Sequence, residues 1–296
     1  MIYFNRMDEK NQPPFAASNA ATEGMAVEKS LHGIIILESI CFFVWLAGIF
    51  FYYLPLPKSS ITLSRAVGEA NIYDAFSILV SVAATLAVFY WLRRKHALAP
   101  MVSFLFGVVI YNTLAIFIEP LVAFAVSVLI VFIERMYRSF VTNNFLVILG
   151  VFAAGISFAG SYAVNFLLIL LGLFALYDLA GVFWVKAIPK VAKNAAKIGM
   201  PLLLFVPKKK ISWFRPPTPD TIASMLGAGD LFIPLLFLSA VSVQVGYQVA
   251  LVSLLGAVIG NIGNIFLARK IKGGIPAVPL LAIGLVVGYG AGVWIF

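Results

Sequence analysis

Apolar residues run along this chain in long, nearly unbroken blocks, without the strict alternation of a half-buried strand or the stripe of a surface helix. A helix crosses the hydrocarbon core of a bilayer with about 20 such residues. Nine blocks are read as spans, from the 13 residues of Leu121–Ile133 to the 23 of Leu31–Tyr53: Leu31–Tyr53, Ile72–Leu92, Ala99–Ile118, Leu121–Ile133, Asn144–Gly160, Ala163–Val185, Leu231–Tyr247, Gln248–Ala268 and Pro276–Phe296. The pattern predicts an all-α polytopic membrane protein with nine transmembrane helices. Two boundaries need an argument. Ala99 to Ile133 is too long for one straight span. Glu119 would cost about 3 kcal/mol at mid-membrane, and Pro120 fits poorly inside a regular helix, so a hairpin is placed there. Leu231 to Ala268 divides most naturally at the polar Gln244–Gln248 stretch.

Composition agrees and narrows the function classes. Of 296 residues, 62% are hydrophobic and 11% charged, against roughly 25% charged in a soluble chain. The mean hydropathy is +1.02, which leaves too little polar surface for a water-soluble globule. The single cysteine, Cys41, has no partner for a disulfide, and His32 and His96 are far apart. No metal site and no cofactor are expected. A net charge of +9 could mean nucleic acid, but in so apolar a chain it records orientation, so no nucleic-acid partner is expected. With the N-terminus cytoplasmic and nine spans, all 21 Lys and Arg residues except Lys58 and Arg65 fall on the cytoplasmic side. The C-terminus is then outside. Residues 1–30 lack a continuous apolar h-region and are read as a cytoplasmic tail. Residues 31–296 form the membrane domain, with a cytoplasmic loop at 186–229. Within that loop Lys186, Lys190, Lys193 and Lys197 mark an amphipathic extension. Lys208–Lys210 with Trp213-Phe214 read as an interfacial anchor, and Pro216-Pro217-Thr218-Pro219 as extended chain.

Among the acidic residues in or beside the spans are Glu38, Asp74, Glu119, Asp178 and Asp230. Asp74 and Glu119 lie where water or headgroups reach them. Glu38, two turns into the first span, is read as a hydrogen-bonding partner of a neighbouring helix, and Asn261 and Asn264 likewise. Asp178 and Asp230 differ, because the topology brings them together. The sixth span runs inward and the seventh outward, so both carboxylates lie in the cytoplasmic leaflet. Asp230 follows Gly227-Ala228-Gly229, whose lack of bulk lets another backbone approach. A third element, Pro276-Ala277-Val278-Pro279-Leu280, opens the ninth span from the same face. Gly284, Gly288 and Gly292 then repeat every four residues, and Gly256, Gly260 and Gly263 form a similar run in the eighth span, as stripes for close helix packing.

Tyr177-Asp178, Gly227-Ala228-Gly229-Asp230 and Pro276-Ala277-Val278, in this order and on these spans, resemble the three signatures of the GxGD intramembrane aspartyl proteases, the presenilins and signal peptide peptidases. The resemblance covers 31–296 and is closest to compact archaeal presenilin homologues, which implies an archaeal membrane. The family's Pro-Ala-Leu stands here as Pro-Ala-Val. The resemblance implies an endopeptidase that cleaves transmembrane-helix substrates in the bilayer, with Asp178 and Asp230 catalytic. Tyr177, Gly227, Gly229, Pro276, Ala277 and Val278 would contact substrate. Two close carboxylates cannot both ionise cheaply, so they share one proton and activate a water. The alternative is a proton- or cation-coupled transporter or channel using the same pair.

Overall fold

Pro120 and Gly246 break the long apolar stretches where the sequence places the two hairpins. The chain leaves a helix at Leu114, turns, and starts the next with Glu119 as N-cap and Pro120 in the first turn, where its missing N–H costs nothing. Glu119 is exposed. At the second break one helix ends at Gln244, the next begins at Tyr247, and Gly246 adopts φ +138°, a left-handed conformation that favours glycine.

The computed structural model describes residues 2–4, 19–53, 95–184, 201–218, 221–270 and 274–296. The predicted second span, 72–92, and the Lys186–Lys197 extension lie outside the described residues, as do Lys58, Arg65 and Asp74. Among the described residues there are eight α-helices. They are α1 (Asn19–Phe50), α2 (Lys95–Leu114), α3 (Pro120–Met136), α4 (Phe140–Ala159), α5 (Val164–Leu179), α6 (Ala228–Gln244), α7 (Tyr247–Lys270) and α8 (Val278–Ile295). They coincide with eight of the nine predicted spans. Residues 19–30, expected as part of a tail, continue α1. Five helices are long and apolar enough to cross a membrane, and two more, Ala99–Leu114 and Ala228–Gln244, are shorter but apolar. Phe43, Phe104, Leu173 and Ile259 face outward on them, each more than half exposed, as suits a surface solvated by lipid. The chain is an integral membrane protein.

The architecture departs from all-α in one respect. Four short strands, β1 (Ile2–Phe4), β2 (Leu203–Pro207), β3 (Ile222–Gly227) and β4 (Gly274–Ile275), form an antiparallel sheet in the order β2-β3-β1-β4. Hairpin partners in β2 and β3 run from Leu203 opposite Gly227 to Pro207 opposite Ile222, with an irregularity after Val206. All five residues of β2 are buried, so the strand shows no alternation and gave no period-2 signal. Trp213, read from sequence as an interfacial anchor, packs instead against Phe140 with ring centroids 6.4 Å apart. Only its neighbour Phe214 faces outward.

The sheet is fixed to the helices by side-chain amides of α4. Asn143 Nδ2 donates to Leu203 O at 2.9 Å. Asn144 Nδ2 donates to Phe205 O at 2.7 Å, and its Oδ1 accepts from Phe205 N at 2.9 Å. Both asparagines are buried. Asn144→Ala would leave two backbone groups of Phe205 unpaired in a dry site, at about 1–3 kcal/mol for each such group. A clear fall in thermal stability is expected in a detergent melt; an unchanged melt would mean these bonds do not hold the strand.

At the centre lies α6, with Leu231, Leu235, Phe237, Leu238, Ala240 and Val241 each at or below 1% exposure. It contacts α1, α4, α5 and α7. Ser242 Oγ donates to Ile49 O at 2.6 Å, and Gln244 Nε2 donates to Tyr162 O at 2.7 Å. These bonds set the far end of α6, while its near end carries Asp230.

Candidate active site

Asp178 stands in the last turn of α5 and is 6% exposed. Directly after it the helix widens into a π-turn, Ala180–Trp184, an irregularity often found beside functional groups. Its carboxylate reaches across to the start of α8. Asp178 Oδ2 accepts a hydrogen bond from Val278 N at 3.1 Å. The first N–H groups of a helix lack intrahelical partners and carry partial positive charge. Ala277, the N-cap of α8, offers no side-chain cap, so Asp178 supplies one from another helix.

The other side of the same peptide unit is held too. Asn264 Nδ2, buried in α7, donates to Ala277 O at 2.7 Å. Both polar groups of the Ala277–Val278 peptide are therefore bound by side chains. Asn264 is the interhelical hydrogen bonder that its place in a span predicts, and its acceptor lies in the Pro276-Ala277-Val278 segment, which residue spacing does not reveal. Pro276, Ala277 and Val278 are all buried and precede or open α8.

Asp230 arrives by a different route. Strand β3 ends at Gly227, which caps α6 in extended conformation, and Asp230 follows in the first turn. Trp45 of α1 anchors this start, its Nε1 donating to Leu231 O at 3.0 Å. A methyl group added at Gly227 would touch Asp230 Oδ2 at 3.4 Å, and one at Gly229 would meet nothing within 4 Å. Neither glycine is demanded by backbone conformation or packing.

A small cavity gathers these elements. Its polar wall is Glu38, Asp230 and Asn261, and its apolar wall is Cys41, Trp45, Leu226 and Leu281, with Ala277 completing it. Asp230 thus shares the cavity with Ala277, whose neighbour Val278 holds Asp178. Asp178 does not itself line the cavity; it bonds Val278 N, next to the Ala277 that borders the cavity with Asp230. Tyr177 does not join them: it is 67% exposed, since consecutive helical residues point about 100° apart. Glu38, from α1, accepts a hydrogen bond at Oε2 from Asn261 Nδ2, as its sequence reading anticipated.

No protein-family model and no curated protein matches the sequence. Solved structures do. One is a presenilin family intramembrane aspartate protease in a C222 crystal form, with TM-score 0.63 and 16% identity over 89% of this chain and 99% of that one. Another is a presenilin family intramembrane aspartate protease in a P2 crystal form, with TM-score 0.55 and 17% identity over 92% of this chain and 97% of that one. At such identity the likeness speaks for the path of the chain and not for its chemistry. The protein has the fold of the presenilin family intramembrane aspartate proteases.

Proposed function

We propose that this chain is an intramembrane aspartyl endopeptidase that hydrolyses peptide bonds within transmembrane segments of other membrane proteins. The observation that carries the reading is that Asp178 bonds Val278 N while Asp230 lines a cavity with the adjoining Ala277. The two solved structures of matching fold, both aspartate proteases, support it further. Nothing in the geometry favours the transporter reading.

In the proposed reaction the two aspartates share one proton. One acts as general base on a water, and the other protonates the carbonyl oxygen and later the leaving amine. Water adds to the peptide carbonyl to give a tetrahedral diol, with no covalent acyl-enzyme. The two roles belong to the pair and are not divided between Asp178 and Asp230. A transmembrane substrate keeps its peptide bonds inside a hydrogen-bonded helix, and must unwind locally before water can attack. Val278 and Pro279 already stand in the first turn of α8, and Asp178 and Asn264 bind the Ala277–Val278 peptide. The extended backbone offered to the unwound strand is therefore that of β4, Gly274–Ile275, just before Pro276. Gly227 and Gly229 leave room on the approach to Asp230, a role supported by the absence of any packing need for glycine there. With the N-terminus cytoplasmic, cleavage falls near the cytoplasmic face of an archaeal membrane.

The test is purified protein in liposomes with a single-span substrate, with and without a non-cleavable hydroxyl isostere of the tetrahedral diol. Product masses mapping inside the span are expected. Transition-state analogues bind more tightly than substrates by factors of about 100 or more, so the isostere should block cleavage well below substrate concentration. Cleavage indifferent to it, or substrate-driven proton flux without cleavage, would count against the proposal.

A further inference from the structure

Ile2–Phe4 lies between the two strands that lead into the site. β3 runs on into Asp230, and β4 runs on into Pro276 and Ala277. β1 is antiparallel to both: Tyr3 stands opposite Met225 and Gly274, Phe4 opposite Ser224, and Ile2 opposite Ile275. Such pairing is made by main chain, so another extended segment can take the same place. An unwound substrate segment has that need. Its freed N–H and C=O groups require partners away from water, and the place between β3 and β4 supplies them on both sides at once. The hold on β1 is light. Two residue pairs join it to each neighbour, against five between β2 and β3.

We infer that β1 is an autoinhibitory strand: Ile2–Phe4 holds the place between β3 and β4 that the unwound segment of a substrate takes, and is displaced before cleavage. This rests on the protease reading. If substrate enters only when β1 is out, apparent affinity falls in proportion to the fraction of molecules in that state, and the chemical step is untouched. The device therefore acts on KM and not on kcat. Residues 5–18 join β1 to α1, so the displaced strand stays tethered and returns at a high effective concentration once product has left.

The experiment compares Tyr3→Pro and Tyr3→Val with the unchanged full chain on a single-span substrate. Proline removes an N–H from the ladder and is not accommodated within a central strand, whereas valine favours a strand. Each hydrogen bond contributes a factor of about 2 to 10, so Tyr3→Pro should lower KM by roughly that factor with kcat unchanged. Tyr3→Val should keep the original KM. A synthetic peptide of residues 1–10, added to Tyr3→Pro at the millimolar level that a short tether supplies, should raise KM again and leave kcat alone. An unchanged KM in Tyr3→Pro overturns the inference, because the substrate then pairs elsewhere, and so does a peptide that does not compete. A Tyr3→Pro protein that melts earlier and cleaves less overturns it too, because β1 is then scaffold. Failure of the protease reading shows separately, as cleavage that survives Asp230→Asn.

Discussion

Asp178→Asn and Asp230→Asn, each purified folded, are expected to lose cleavage of a single-span substrate by about a thousandfold or more. General acid–base catalysis contributes roughly 100- to 10,000-fold, and residues that act as a unit are lost together, so the double variant should be no worse than either single one. The substitutions are close to isosteric, which separates chemistry from folding. The amide that replaces the Asp178 carboxylate still offers an oxygen to Val278 N, so the cap on α8 survives. At 230 the side chain keeps its volume beside Gly227. What each variant loses is a group able to give and take a proton. A melt matching the unchanged protein, together with absent product, is the expected pair of results. Near-normal cleavage by either single variant would sink the two-aspartate mechanism.

Gly284→Leu is expected to be the most damaging change to the fold, at about 3 kcal/mol or more. Helices α7 and α8 approach so closely that their backbones touch. A methyl group at Gly284 would collide with Gly256 O, and one at Gly256 would collide with Gly284 O, each far inside van der Waals contact. Gly260 faces Leu280 O in the same way, and a methyl group at Gly288 would sit 2.6 Å from Val252 O. A side chain cannot be accommodated by a rotamer change when the neighbour is main chain, so the helices must part. In lipid, where no hydrophobic drive holds helices together, close backbone packing is a principal source of association. The clash also moves the start of α8, hence Ala277 and Val278. Gly290→Leu, on the same helix with nothing within 4 Å, is the control and should melt like the unchanged protein. Equal melts for the two variants would mean the contact contributes little.

Much of this molecule is legible from sequence, for identifiable reasons. The eight helices that can be compared lie where long apolar blocks demand them, and Pro120 and the Gln244–Gln248 polar stretch mark the hairpins because local chemistry decides them. The glycine runs in α7 and α8 were readable because a spacing of four places small residues on one face. Asp178 and Asp230 stood out because charge is costly in a membrane. The sheet was not legible. Leu203–Pro207 is buried throughout and looks like any short apolar run, and what makes it a strand is pairing with Ile222–Gly227, in a sheet that also takes in Ile2–Phe4, far along the chain. The same holds for Asn143 and Asn144, whose role depends on acceptors about sixty residues on. Nor could sequence show that Asp178 bonds directly to Val278, since motif order says nothing about which atoms meet.

The order of strands in the sheet has a further consequence. A strand edge whose N–H groups are already paired has no donors left for another strand. The far edge of β2 is already closed by Asn143 and Asn144. Both edges of β3 are occupied, by β2 and by β1, so the strand that leads into Asp230 has no vacancy at Ser224 and Met225 while Ile2–Phe4 lies there. The outer edge of β4 pairs with no strand among the described residues. That edge runs straight into Pro276 and Ala277. Among the described residues this is the strand edge left open while β1 is seated, and it lies beside the peptide unit that Asp178 and Asn264 hold.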